Sequence, residues 1–264
     1  MAHLRLHDRL SDRALKDLGV SSASLKALLD KSLIQSFTHI PAVTNTEDLN
    51  PDVLAEASLT LNEEQRIALQ AIDLKQHQTY LLEGTTGSGK TEVYLQAIAE
   101  CLKAGKQALV LIPEIGLTPQ TLGRFQSRFN VPIASLHSGM NDKERMQAWL
   151  QAQRGYARII VGTRSAIFTP MVKPGIIIVD EEHDASFKQQ DGFRYSARDL
   201  AAVRANFHGI PLVLGTATPS LETLNNASTG KFTHLRIKHR AGNAKPPSTH
   251  LIDIRGQTLQ QGLA

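Results

Sequence analysis

Eight consecutive residues, Gly84-Thr85-Thr86-Gly87-Ser88-Gly89-Lys90-Thr91, fit the pattern G-x-x-x-x-G-K-[ST] without exception. Glycines at this spacing let backbone N–H groups turn inward around an anion, and a helix that follows adds its positive end. The chemistry implied is binding of a nucleoside triphosphate. Lys90 is placed to reach the β- and γ-phosphates, and the Thr91 hydroxyl to ligate Mg²⁺. The apolar run Tyr80-Leu81-Leu82 precedes the loop and a helical pattern begins at Glu92, which is the strand–loop–helix context that the pattern requires. A second group, Ile176-Ile177-Ile178-Val179-Asp180-Glu181-Glu182-His183, runs four apolar residues straight into acids. Carboxylates at the end of a buried parallel strand sit where open α/β sheets bind ligands. Asp180 is the natural holder of Mg²⁺, a hard ion that favours carboxylate oxygens. Glu181 is suited to polarise and orient an attacking water.

A third group follows the acids: Phe187-Lys188-Gln189-Gln190-Asp191-Gly192-Phe193-Arg194-Tyr195. Aromatic rings interleaved with cations suit single-stranded DNA, because bases stack on rings while Lys or Arg meets phosphate. A loop pinned by its own aromatics reads the same way, and the residues alone leave both open. Ten histidines raise the question of a metal centre, but none is paired with cysteine or acid at ligand spacing. His137, His208, His234 and His239 read as structural or solvated. The single cysteine, Cys101, falls in an amphipathic helical pattern and reads as a buried structural thiol, so zinc is not expected in this chain. No Asn-Lys-x-Asp string occurs, which argues against a guanine nucleotide.

These groups need a scaffold, and the pattern of the chain supplies one. Short apolar runs recur at 79–83, 107–112, 133–137, 158–162, 176–180 and 212–215, each followed by a helical stretch such as 92–104 or 143–153. Continuous β-branched runs are the signature of parallel strands buried on both faces, so the fold class predicted is a doubly wound α/β domain. Residues 1–58 differ. Helical spacing over 11–20 and 24–31, a glycine between them and an extended stretch at 32–40 suggest a small winged-helix-like segment, with 38–59 as a linker. Residues 239–264, with Pro246-Pro247, read as a connector after a lobe spanning 59–238. At 264 residues, 41% apolar and 20% charged, the composition is that of an ordinary globular protein. No apolar run approaches the roughly 18 to 20 residues that span a bilayer, so no membrane partner and a cytoplasmic location are expected. A net charge of +4 is compatible with nucleic acid without establishing it.

Asp180-Glu181-Glu182-His183 resembles the DEEH form of the acidic box of superfamily 2 helicases. Thr216-Ala217-Thr218-Pro219 resembles their third motif, and Leu61-Asn62-Glu63-Glu64-Gln65 the motif before the phosphate loop. Leu111–Gln120 and Gly162–Phe168 are similar to their DNA-facing motifs. Over about Leu59 to Arg255 these strings most resemble the primosomal replication-restart helicases of bacteria. The resemblance implies a RecA-like nucleotide-binding lobe preceded by part of a winged helix, with ATP and Mg²⁺ as ligands. It implies that Gln65 contacts adenine, that Thr118, Thr163 and Arg164 face DNA, and that Thr216 and Thr218 link hydrolysis to DNA engagement. His183 would join them at the γ-phosphate. It also tips the third group toward DNA, with Phe187, Lys188, Phe193, Arg194 and Tyr195 as contacts.

Single-stranded and forked DNA, replication-restart proteins and single-strand-binding protein are the partners implied, with 3′-to-5′ movement as the activity. The family also carries a second RecA-like lobe with an arginine finger, a zinc module of clustered cysteines and a domain that grips a nascent 3′ end. None of these has a counterpart in the 264 residues. Since arginine fingers contribute a factor of about 10³ to 10⁵ in rate, the expectation is a chain that binds Mg·ATP, hydrolyses it very slowly and does not unwind DNA by itself. A fork-binding scaffold modulated by ATP and a double-stranded DNA translocase subunit are the alternative readings.

Overall fold

The computed structural model of the protein describes Leu15, residues 18–36 and residues 52–240. The chain divides into two compact units, Met1–Pro41 and Ala42–Ala264. In the first, Ser21 opens helix α1 (Ser22–Asp30) by accepting the Ser24 amide on its hydroxyl. Ser32, at φ 53°, closes the helix: its amide donates to the Leu29 carbonyl and that of Leu33 to Leu28. Those two bonds end a helix through a left-handed residue. The helix predicted over 24–31 is thus present and starts two residues earlier. Most of the predicted helix over 11–20 and the second half of the extended stretch over 32–40 lie outside the described residues, as does the connector from residue 241 onward.

In the second unit the chain alternates strand and helix. After α2 (Glu63–Ala71) come β1 (Thr79–Gly84), α3 (Lys90–Lys103), β2 (Gln107–Leu111), α4 (Pro119–Arg128), β3 (Ile133–Leu136), α5 (Asp142–Gln153), β4 (Ile159–Gly162) and β5 (Pro174–Asp180). A two-stranded hairpin, β6 (Lys188–Gln189) and β7 (Tyr195–Ser196), interrupts the alternation. It leads into α6 (Ala197–His208), β8 (Leu212–Thr216), α7 (Leu221–Ser228) and β9 (Thr233–Ile237). Seven strands form one sheet in the order β3-β4-β2-β5-β8-β1-β9, with every neighbouring pair parallel.

Residues on alternate faces of each strand feed two cores. Val110, Ile178 and Val213 pack with Val93 and Ile98 of α3 and Phe125 of α4. Leu109, Leu111, Ile177 and Val179 pack with Ala148 and Ala152 of α5 and Ala201 and Ala205 of α6. Alanines on those two helices let their backbones approach the sheet closely, and burial on both faces explains why the strands read as unbroken apolar runs. The predicted strands are all present, with ends shifted by up to two residues. No helix among the described residues is long and apolar enough to cross a membrane. Cys101 is buried as expected, and burial pushes its thiol up to about 12.

The stretch read as a linker up to residue 59 runs, from residue 53, along the sheet unit. Leu54 bridges antiparallel to Phe129, and the Ala55 amide donates to the Arg128 carbonyl. The Leu59 amide donates to Glu92, a buried carboxylate that Arg128 grips with both guanidinium nitrogens at 2.9 and 2.8 Å. Burial alone would raise the Glu92 carboxyl. The bonds from Arg128 and Gln96 outweigh it, and the pKa lies below its ordinary value of 4.5. The pair therefore stabilises the fold fully above that ordinary value, and the contribution is lost as pH falls through the lower folded value. Arg128→Ala, which leaves the carboxylate buried without its cation, is expected to cost about 3 to 5 kcal/mol in urea melts at neutral pH. A loss under 1 kcal/mol would show that the pair is not structural.

Candidate functional site: a nucleotide cleft beside an aromatic hairpin

β1 delivers the chain into the glycine-rich loop and α3 takes it away. Gly87 and Gly89 hold φ values of 82° and 84°, a left-handed backbone that only glycine adopts without strain. A Cβ on Gly84 would lie 2.5 Å from the Ser88 hydroxyl and 3.2 Å from the Ile237 carbonyl, so a side chain here would displace Ser88. Gly89 caps α3 without a side-chain hydrogen bond, whereas Asn62, Thr118, Asn141, Ser196 and Ser220 each cap the helix they precede. The Glu92 amide donates to the Gly89 carbonyl at 3.0 Å, and the Lys90 and Thr91 amides before it, with no side-chain cap, are left for an anion. They border a cleft of about 620 Å³ lined by Thr85, Lys90, Thr91, Asp180 and Glu181. The Lys90 ammonium donates to the Gly84 carbonyl at 2.7 Å and stands 4.0 Å from Glu181. The buried Ser88 hydroxyl has no hydrogen-bond partner among the described residues. Uncapped amides, a buried lysine and two carboxylates in one cleft fit a phosphate chain with a divalent cation.

The acids sit at the carboxyl end of β5, in parallel register with β8, so that Asp180 is opposite Gly215. Asp180 accepts a hydrogen bond at 3.1 Å from the Tyr94 hydroxyl, which crosses Gly215 from α3. A Cβ on Gly215 would lie 1.4 Å from the Tyr94 oxygen, so that glycine is what admits the ring. Burial and the neighbouring Glu181 carboxylate push Asp180 up from its ordinary value, as two acids in a dry site repel. Glu181 itself holds φ 49°, a strained backbone for a non-glycine residue at a site of this kind. His183 Nδ1 lies 2.7 Å from Thr216 Oγ1, and that oxygen accepts the Thr218 amide at 3.0 Å. One threonine hydroxyl thus joins the acidic box to the Thr216–Pro219 segment.

Beside the acids, the β6–β7 hairpin carries the aromatic group. Phe193 is 77% exposed, and its ring centroid lies 5.9 Å from that of Tyr195. Tyr195 in turn meets Phe168 edge-on at 4.9 Å. Lys188 and Arg194 are exposed. Three predicted residues behave otherwise. Phe187, expected to stack, is 1% exposed and packs in the core beneath the hairpin, so it anchors the loop and offers no face to a base. Thr163 is buried at 4%. Arg164 spends one guanidinium nitrogen on the Ser186 and Lys188 carbonyls and clamps the start of the hairpin. Thr118 is exposed and caps α4. Gln65 is likewise committed: its carbonyl accepts the Asn62 amide in a capping box and its amide donates to the Ser88 carbonyl at 2.8 Å. It braces the phosphate loop, and one N–H and one carbonyl lone pair remain beyond these bonds.

Tyr94, Gly215, Glu182 and Phe168 were not singled out from sequence. Tyr94 stands four residues after Lys90, one helical turn along the same face, which is the signal that could have found it. Phe168 closes the string Gly162–Phe168, and Glu182 lies inside the acidic box itself.

Residues 62–227 match the DEAD/DEAH box helicase family. The replication restart protein PriA of Haemophilus influenzae is 49% identical over 92% of this chain and 34% of its own length. PriA of Bacillus subtilis is 42% identical over 94% of the chain and 31% of its own. The chain thus spans about a third of the length of the curated relatives it matches. RecG bound to a three-way DNA junction superposes with a TM-score of 0.51 at 22% identity, over 71% of this chain and 25% of that one. The Hef helicase domain of Pyrococcus furiosus gives 0.51 and 22%, over 70% and 39%. These two structures speak to the fold alone.

Tyr94→Phe, which removes one hydrogen bond to Asp180 and keeps the ring, is expected to weaken Mg·ATP binding about threefold to tenfold with little change in melting temperature. Gly215→Ala, which collides with the ring, should weaken it more and lower the melting temperature as well. Calorimetric titration and thermal melts check both.

Proposed function

This chain belongs to the DEAD/DEAH box helicase family, and from that membership we propose that it is the ATP-binding lobe of a replication-restart DNA helicase. The observation that carries the reading is the contact of His183 with Thr216, which ties the acidic box of the nucleotide cleft to the segment after β8. The similarity to PriA over nearly the whole chain supports restart as the setting. Movement 3′ to 5′ along single-stranded DNA is the direction proposed, with forked DNA, restart proteins and single-strand-binding protein as partners.

Lys90 holds the β- and γ-phosphates, and the loop amides from Thr85 to Thr91 surround the phosphate chain. The Thr91 hydroxyl and the Asp180 carboxylate would hold Mg²⁺, which when bound would neutralise charge developing on the phosphate oxygens. Glu181 orients the attacking water, and its strained backbone keeps the carboxylate turned into the cleft. Tyr94 fixes the Asp180 carboxylate through Oδ1. Bases stack on Phe193 and Tyr195 while Lys188 and Arg194 meet phosphates, a combination that suits single strands of any sequence. Thr118, exposed at the start of α4, is a further backbone contact.

Lys90→Ala is expected to weaken Mg·ATP binding by roughly 10- to 100-fold, since a charge-assisted bond is lost, while affinity for an oligo(dT) strand stays unchanged. Phe193→Ala with Tyr195→Ala should do the reverse, at about 1 to 3 kcal/mol of DNA affinity for each stacked base. The 264 residues assayed alone are expected to turn ATP over far more slowly than a two-lobed helicase. A Lys90→Ala chain that still binds ATP normally would sink the reading, and so would a chain indifferent to oligo(dT).

A further inference from the structure

Glu182 carries a carboxylate with 0% of its side chain exposed. Its Oε1 accepts the Ser220 amide at 2.7 Å. Its Oε2 accepts the Thr223 hydroxyl at 2.9 Å, the Ser220 hydroxyl at 3.1 Å and an Arg198 guanidinium nitrogen at 3.2 Å. The same Arg198 nitrogen donates to the Ser220 hydroxyl at 2.7 Å, and the Arg198 side chain is itself 12% exposed. The three elements that meet here are the ones the site depends on. Glu182 stands between the water-orienting Glu181 and His183. Ser220 follows Thr216–Pro219 directly and caps α7. Arg198 is the second residue of α6, three beyond Tyr195 on the far side of the aromatic hairpin.

A buried carboxylate deprived of its cation is strongly destabilising, and a satisfied buried network responds as a unit. The start of α6 therefore cannot shift without taking Glu182 with it, and Glu182 cannot shift without its two chain neighbours. The hairpin is held at its start by Arg164, through the Ser186 and Lys188 carbonyls, and past its end by Arg198. We propose that the Glu182–Arg198 pair is the positioning link through which DNA held on the hairpin sets the geometry of Glu181 and His183. This deepens, and rests on, the reading of the chain as part of a DNA-stimulated ATPase. Arg198 touches neither nucleotide nor DNA. It acts through Glu182.

The test uses the full-length protein, with ATP turnover measured alone and with saturating oligo(dT). Arg198→Gln is expected to keep DNA-free turnover, the KM for ATP and oligo(dT) affinity within about twofold of wild type, while the DNA-stimulated kcat falls about tenfold. Arg198→Lys, which restores the charge on Glu182, is expected to recover part of the stimulation. An equal fall with and without DNA overturns the link, because that is what general loss of structure produces, and undiminished stimulation overturns it too. Should Arg198→Gln fail to fold, Thr223→Val decides by the same split: it removes one bond from Glu182 at constant shape, and a selective fall in the stimulated rate supports the link where an equal or absent fall contradicts it. A wild-type protein that oligo(dT) does not stimulate removes the functional reading itself, and the link with it.

Discussion

Parallel pairing of β5, β8 and β1 is the constraint on which the site depends. The pairing sets Asp180 opposite Gly215, and Thr216 opposite Glu83, the residue before the phosphate loop. Three segments distant in sequence thereby emerge at one edge of one sheet, with Gly84, Asp180 and Thr216 at their tips. A slip of one residue in any of these strands would invert which face each side chain serves. Ile177 and Val179 belong to one core and Ile178 to the other, so register here is a matter of how each side chain fits its own core.

What stands on that edge is organised by polar side chains more than by loops. Gln65 braces the phosphate loop, Tyr94 holds Asp180, Arg164 clamps the hairpin, and Glu182 gathers the starts of two helices. Each of these groups is wholly or partly buried and each is bonded, which is the condition under which a polar group in a protein interior rigidifies its surroundings. The strain at Glu181 is held in place by the same neighbours: the Glu182 amide donates to the Gly215 carbonyl on one side, and the Asp184 amide to the Glu181 carbonyl on the other.

The fold and the nucleotide cleft were legible in the sequence because their signals are local. A strand buried on both faces reads as Ile176–Val179, a phosphate loop needs its glycines at fixed spacing, and both patterns survive without knowledge of any neighbour. The misread residues share the opposite property. Phe187 and Phe193 are the same residue type in the same loop, and only the packing of the hairpin onto Val179 and its neighbours decides that one is core and the other is exposed. Gln65 also carries the spacing of a capping box, Asn62-x-x-Gln65, a second role for the same amide. Glu182, Arg198 and Ser220 are drawn together by tertiary structure across 38 residues, a separation no periodicity reports.

The inference to test is that the nucleotide cleft and the aromatic hairpin form one energetically connected site. Coupling between two ligands is reciprocal, so it is measurable at equilibrium without turnover. Titrating the full-length protein with a hydrolysis-resistant ATP analogue and Mg²⁺, in the presence and absence of saturating oligo(dT), reads it directly. In a connected site, oligo(dT) is expected to change the analogue's Kd by at least about fivefold, and the analogue to change the Kd for oligo(dT) by the same factor. Identical nucleotide affinity with and without DNA would contradict it.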